Sequence, residues 1–97
     1  MLKKLEKEIE KRMNEMVKER GGLSYKFIGL VRGVPDRIII TPVGAVWFVE
    51  LKTAKGRLSK IQSFQIKKLE KGKANVRVVY GYDGMAAFIQ EVMGNGV

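Results

Sequence analysis

Asp36, Glu50 and Lys52 are the residues whose types and spacing point to chemistry. They lie at one end of two apolar runs, Ile38-Ile39-Ile40 and Val46-Trp47-Phe48-Val49. Both runs are β-branched or aromatic and bounded by Pro and Gly, so they read as two strands joined by a tight turn at Pro42-Val43-Gly44. Closing that turn with Thr41 opposite Ala45 sets Ile40 opposite Val46, Ile38 opposite Phe48, and Asp36 opposite Glu50. Directly opposed residues have Cβ atoms about 4.5–5.5 Å apart. Two carboxylates that close repel unless a proton or a cation sits between them. A hard divalent ion such as Mg²⁺, which takes oxygen ligands at about 2.0–2.1 Å and keeps several waters, suits the gap. Side chains alternate along a strand, so Lys52 shares a face with Glu50. There an ammonium can hold an attacking water, or a neutral amine can deprotonate one. Two acids, a cation site and a lysine outline phosphodiester hydrolysis. The alternative is that both acids are solvated strand ends with Lys52 as their salt-bridge partner, for Glu-x-Lys alone is a common triplet. The coincidence of register, apolar length and charge gathered at one end favours the chemical reading.

Composition narrows the options. Ninety-seven residues, 45% hydrophobic and 30% charged, fit one soluble domain spanning 1–97. No run approaches a membrane span and no apolar segment of the export type follows the start, so an intracellular, cytoplasmic protein without a membrane partner is expected. The chain has no Cys and no His, which removes disulfides, thiolate or imidazole ligands and His-based catalysis. Any metal is then held by oxygen, which favours Mg²⁺ or Mn²⁺ over Zn²⁺. A net charge of +9 points to a polyanion such as nucleic acid.

Several elements must position the three residues. Leu2, Leu5, Ile9, Met13, Met16 and Val17 recur at helical spacing, which predicts an amphipathic helix over 2–20 ended by Gly21-Gly22. At about 100° per residue, Glu6 falls inside its apolar stripe and Glu10 at the edge. Either acid could reach the ion site; either could equally turn to solvent. Tyr25 to Val31 reads as the first strand, and Lys26 on it could face phosphate or simply stand exposed. Asp36 and Arg37 point to opposite faces, so packing or a salt bridge is expected of Arg37. Both faces of the two central strands are apolar, which predicts a sheet covered on both sides. After Lys52 comes a basic loop with Lys55 and Arg57. A helix over Lys60–Lys71 follows, with Ser59 as N-cap and Ile61, Phe64, Ile66 and Leu69 on its apolar side. From Lys52 to Lys73 there are eight Lys or Arg and one acid, Glu70. Lys55, Arg57 and Lys60 are the candidates within this stretch for gripping a phosphate backbone. Val76–Tyr80 reads as a fourth strand and Met85–Met93 as a last helix.

The ordered set Gly33-Val34-Pro35-Asp36-Arg37, Val49-Glu50-Leu51-Lys52 and Leu58-Ser59-x-x-Gln62, with Gly21-Gly22 and Tyr25-Lys26-Phe27 before it, resembles the VRR-NUC (virus-type replication-repair nuclease) family of the PD-(D/E)xK nuclease superfamily. The likeness covers roughly residues 5 to 81. It implies an α/β fold with a restriction-endonuclease-like core, a mixed four-stranded sheet flanked by helices in the order αβββαβα. It also implies a Mg²⁺- or Mn²⁺-dependent DNA endonuclease. Asp36 and Glu50 would hold the ion, assisted by the Leu51 backbone carbonyl and a Glu of the opening helix. Glu10, after Ile9, fits the family's pattern there, whereas the helical wheel prefers Glu6. Lys52 would act on the attacking water, and Gln62 would orient water or phosphate. Stand-alone members of the family look like homodimers that cut branched DNA, Holliday junctions in particular. Several Met and Trp47 are compatible with such a dimer. The alternatives are nicking of ordinary duplex, a non-catalytic basic nucleic-acid-binding module and, disfavoured by the basic surface, an acid-dyad hydrolase on another substrate.

Overall fold

A computed structural model describes residues 2–29 and 31–94, the side chains of 2–4 excepted. The elements are α1 (Leu2–Glu19), β1 (Leu23–Lys26), β2 (Arg37–Ile40), β3 (Val46–Lys52), α2 (Lys60–Lys71), β4 (Val76–Tyr80) and α3 (Gly81–Met93), the αβββαβα order that the sequence implies. The strands lie side by side in the order β1-β2-β3-β4. The first three are antiparallel and β4 runs parallel to β3. A parallel pair needs a crossover, and α2 provides it.

Local chemistry explains the joints. Gly21, at φ +82, donates to the Lys18 carbonyl, and Gly22 donates to that of Val17. These are the paired bonds of a glycine-terminated helix end. Between β2 and β3, the Gly44 amide donates to the Thr41 carbonyl and the Thr41 amide to that of Ala45. Gly44 takes φ +87, so a three-residue loop closes the hairpin with glycine in the left-handed position. The register follows: Ile40 opposite Val46, Ile38 opposite Phe48, Arg37 opposite Val49.

Two element bounds differ from expectation. The first strand covers 23–26 rather than 25–31, and Leu30 lies outside the described residues. The Phe27 amide still donates to the Asp36 carbonyl at 2.7 Å. Beyond that bond the pairing of β1 with β2 is not continued. α3 begins at Gly81 instead of Met85. With φ +67, Gly81 turns the chain from β4 into the helix without a connecting loop.

The sheet is also more one-sided than two fully apolar strands suggest. Ile39, Val49, Leu51 and Val79 on one face are buried with Ile9, Met13 and Val17 of α1 and Met85, Phe88 and Ile89 of α3. The other face carries Ile38, Ile40, Val46, Phe48 and Glu50, and α2 alone is the helix on that side. There Leu23, Tyr25 and Val46 remain exposed. On α2 only Ile66 is fully buried, while Ile61 and Phe64 stand open to solvent. Leu5 likewise falls outside the buried stripe of α1.

Candidate active site

Asp36 sits at the mouth of β2, held in place from behind. Pro35 before it is buried. Gly33, at φ +88, runs so close to α2 that a Cβ there would lie 2.7 Å from the Ile61 carbonyl oxygen. The segment leading into Asp36 is thus docked on the first turn of α2. Asp36 itself is exposed, and the hairpin register continued by one pair sets it opposite Glu50.

Glu50, on the half-covered face of β3, is 6% exposed. The Lys52 Nζ approaches its Oε2 at 3.7 Å. Gln62 reaches the same oxygen, its Nε2 donating at 3.3 Å. The other end of that amide is committed: Gln62 Oε1 accepts from the Ser59 amide, and Ser59 Oγ accepts from the Gln62 amide. This reciprocal cap starts α2 and aims the Gln62 nitrogen at Glu50. Burial, then the charge of Asp36, raise the Glu50 pKa to about 7; Lys52 pulls it down and Glu6 adds to the rise. Burial disfavours the ionised form, and a nearby like charge does so again. The single lysine does not offset both.

Glu6, Lys7, Glu10, Lys26 and Asp36 line a cleft of about 140 Å³. Water takes about 30 Å³ in the liquid, so the cleft has room for an ion with a few waters. The two candidate helix acids behave differently within it. Glu6 is sensed electrostatically by Glu50. Glu10 is drawn instead to Arg37, whose Nη2 lies 2.5 Å from Glu10 Oε2. Arg37 is 6% exposed and lies on the face of β2 opposite to Asp36, beneath α1. Among the described residues no three acidic side chains converge into a finished ion cage. Even so, the donor set is all oxygen, and Glu50 and Asp36 carry mutual repulsion that a cation would relieve. Mg²⁺ commonly binds through one or two carboxylates, with waters and substrate phosphates completing its shell. The residues present fit such an ion.

The other candidates are more dispersed. Leu51 packs its side chain in the core, leaving its backbone carbonyl between Glu50 and Lys52. Lys26, opposite Arg37 on β1, is exposed at the cleft. Lys55, Arg57 and Lys60 are exposed along the loop after β3 and the start of α2. Sequence reasoning overlooked Lys7 at the cleft and did not join Glu10 to Arg37. The signal for that pair was present: an Arg on the buried face of a central strand needs an acid within reach.

A mixed sheet with two acids and a lysine at the end of its central hairpin defines a nuclease domain. A sequence profile of the VRR-NUC domain matches residues 3–83, and the chain belongs to that family. It is similar to a solved structure described as "VRR_NUC domain", with TM-score 0.80 and 31% identity over 88% of this chain and 94% of that one. A second, a "VRR_NUC domain protein", shares the fold at TM-score 0.72 and 19% identity, over 95% of this chain and 90% of that one. Over 48 residues the chain is 46% identical to "Putative nuclease p44" of Acyrthosiphon pisum secondary endosymbiont phage 1. That match covers 48% of this chain and about half, 52%, of the phage protein.

Proposed function

We propose that the chain works as a single domain, a divalent-metal-dependent endodeoxyribonuclease that selects branched DNA such as a Holliday junction. The observation that carries this is the buried Glu50 carboxyl, repelled by Asp36 and touched by Lys52 and Gln62, in a protein of net charge +9. Asp36, Glu50, the Leu51 carbonyl and Glu6 are the groups that would hold Mg²⁺ or Mn²⁺. Glu6 is chosen over Glu10 because Arg37 engages Glu10. The ion, when bound, supplies positive charge at the scissile phosphate and acidifies water for attack.

The protein's own groups do the rest. Lys52 lies next to Glu50, where it steadies the attacking water and the charge that builds on the phosphoryl oxygens. Gln62 holds one oxygen of Glu50, which fixes the orientation of the carboxylate. The bond that breaks is the one to the 3′ oxygen. Lys26, Lys55, Arg57 and Lys60 bind neighbouring phosphates and give affinity without base specificity. Two symmetric cuts across a four-way junction call for two sites related by a two-fold axis. The half-covered sheet face, with Leu23, Tyr25 and Val46 exposed, supports a homodimer joined there.

The test is a cleavage panel of duplex, flap, splayed-arm and four-way-junction DNA, each with Mg²⁺ and with Mn²⁺. Metal-dependent cutting, strongest on the junction and lost in Lys52→Ala while binding persists, is expected. Binding without cutting under every condition would make the protein a non-catalytic basic module, and equal cutting of plain duplex would remove the junction preference.

A further inference from the structure

Arg37 is an expensive residue in its position. It is 6% exposed, it faces the core side of β2, and its Nε has no hydrogen-bond partner. Its ion pair with Glu10 joins α1 to β2. A buried ion pair is weak evidence for stability, because desolvating both charges offsets their attraction. An orphaned guanidinium nitrogen adds to the cost. A well-packed apolar pair in place of Arg37 and Glu10 would hold α1 on the sheet at least as well, so stability does not account for the arginine.

Geometry suggests another role. Glu6 and Glu10 are four residues apart on α1 and therefore neighbours on one face of it. Both line the cleft with Asp36, but Glu10 is engaged by Arg37 while the charge of Glu6 bears on Glu50. Whatever fixes Glu10 sets the rotation and height of α1 one turn away, where Glu6 is. Arg37 follows Asp36 directly in the chain, so one strand carries an acid of the site on one face and the anchor of the helix on the other.

We propose that Arg37 is a positioning residue: its clamp on Glu10 fixes the start of α1 so that Glu6 is presented to the ion site, and Glu10 is thereby excluded from it. This rests on the nuclease assignment for the ion, but the clamp can be tested apart from it. Mn²⁺ alone, without DNA, is titrated calorimetrically into the wild type and into Arg37→Met, Arg37→Lys, Glu10→Gln and Glu6→Gln, and each protein is also melted and followed by amide hydrogen exchange. Arg37→Met should bind Mn²⁺ about tenfold more weakly and, since it leaves Glu10 charged without its partner, should melt no higher than the wild type. Arg37→Lys should recover part of that loss. Glu10→Gln, still able to accept from Arg37, should stay within about twofold of wild type, while Glu6→Gln should bind least. In Arg37→Met, exchange should accelerate in residues 5–9 and not in 13–18. Unaltered Mn²⁺ affinity in Arg37→Met, or Glu10→Gln as damaging as Glu6→Gln, would overturn the clamp. A wild type that takes no Mn²⁺ would overturn the ion assignment instead, and unchanged exchange over residues 5–9 would then dispose of the clamp as well. If Arg37→Met fails to fold, Arg37→Lys and Glu10→Gln decide by the same measurements.

Discussion

The two faces of the sheet are built from similar residues and do different things. On one, Ile39, Val49, Leu51 and Val79 disappear beneath α1 and α3 with Phe88 and Met13. On the other, Ile38, Ile40 and Phe48 are half-buried and Val46 is exposed, and β3, which carries Val46 and Phe48, ends in Glu50 and Lys52. The first face seals and stabilises. The second stays open, and its charged end is where the proposed cleavage would take place. β3 contributes to both because its side chains alternate, with Val49 and Leu51 in the core and Glu50 and Lys52 on the open face.

The contrast can be broken most severely from the sealed side. Phe88 is 1% exposed and stacks edge-on against Trp47 at 5.3 Å. Phe88→Ala should cost about 3–5 kcal/mol, which at roughly 4–8 °C per kcal/mol for a domain of this size lowers the melting temperature by more than about 12 °C. A loss under about 1 kcal/mol in a urea titration would mean that this face is not the core. Next in size is Lys52→Ala, which should slow cleavage by about a hundredfold or more with little change in the melting curve. Asp36→Asn and Glu50→Gln should behave alike or melt slightly higher, since each removes repulsion. Wild-type cleavage rates in any of the three would remove the site from this end of the sheet.

A subtler effect separates the faces by pH. The folded Glu50 pKa is raised from 4.5 to about 7, by burial first and Asp36 second. Between those values the folded protein keeps a proton that the unfolded chain has released. This contribution therefore favours the folded state below about 4.5, weakens as pH rises, and is lost above about 7. Metal-free protein should show a downward drift of a few degrees in melting temperature across that window, flattened in Glu50→Gln. A drift that persists unchanged in Glu50→Gln would assign it to other groups. Smallest of all should be Val46→Thr or Tyr25→Ser on the open face: within about 0.5 kcal/mol in folding stability, yet shifting a dimer toward monomer in sedimentation. An unaltered sedimentation profile would remove the dimer from this surface.

Much of this was legible in the sequence because local chemistry decided it. Pro42-Val43-Gly44 set the hairpin loop and hence the register, and Ser59 caps α2, which spans Lys60–Lys71 as its sequence predicts. The expectation of a strand over 25–31 rests on the strand-forming side chains of Phe27, Ile28 and Val31, whereas the paired register with β2 ends at Lys26 opposite Arg37. The helical start of α3 was hidden by Gly81 and Gly84, poor helix formers in isolation. The openness of one sheet face could not be read from strands apolar on both sides; it depends on two of three helices settling on the other. The helical wheel and the family pattern favour different acids, Glu6 and Glu10, and the contact that engages Glu10 comes from Arg37, far along the chain from both.

The bare α-carbon of Gly33 has a reach out of proportion to its size. It lets the run-up to Asp36 nest against the Ile61 carbonyl, next door to the Gln62 amide that steers Glu50. A single added methyl would wedge these two segments apart and shift both partners of the acid pair together, leaving every charged group intact but out of alignment.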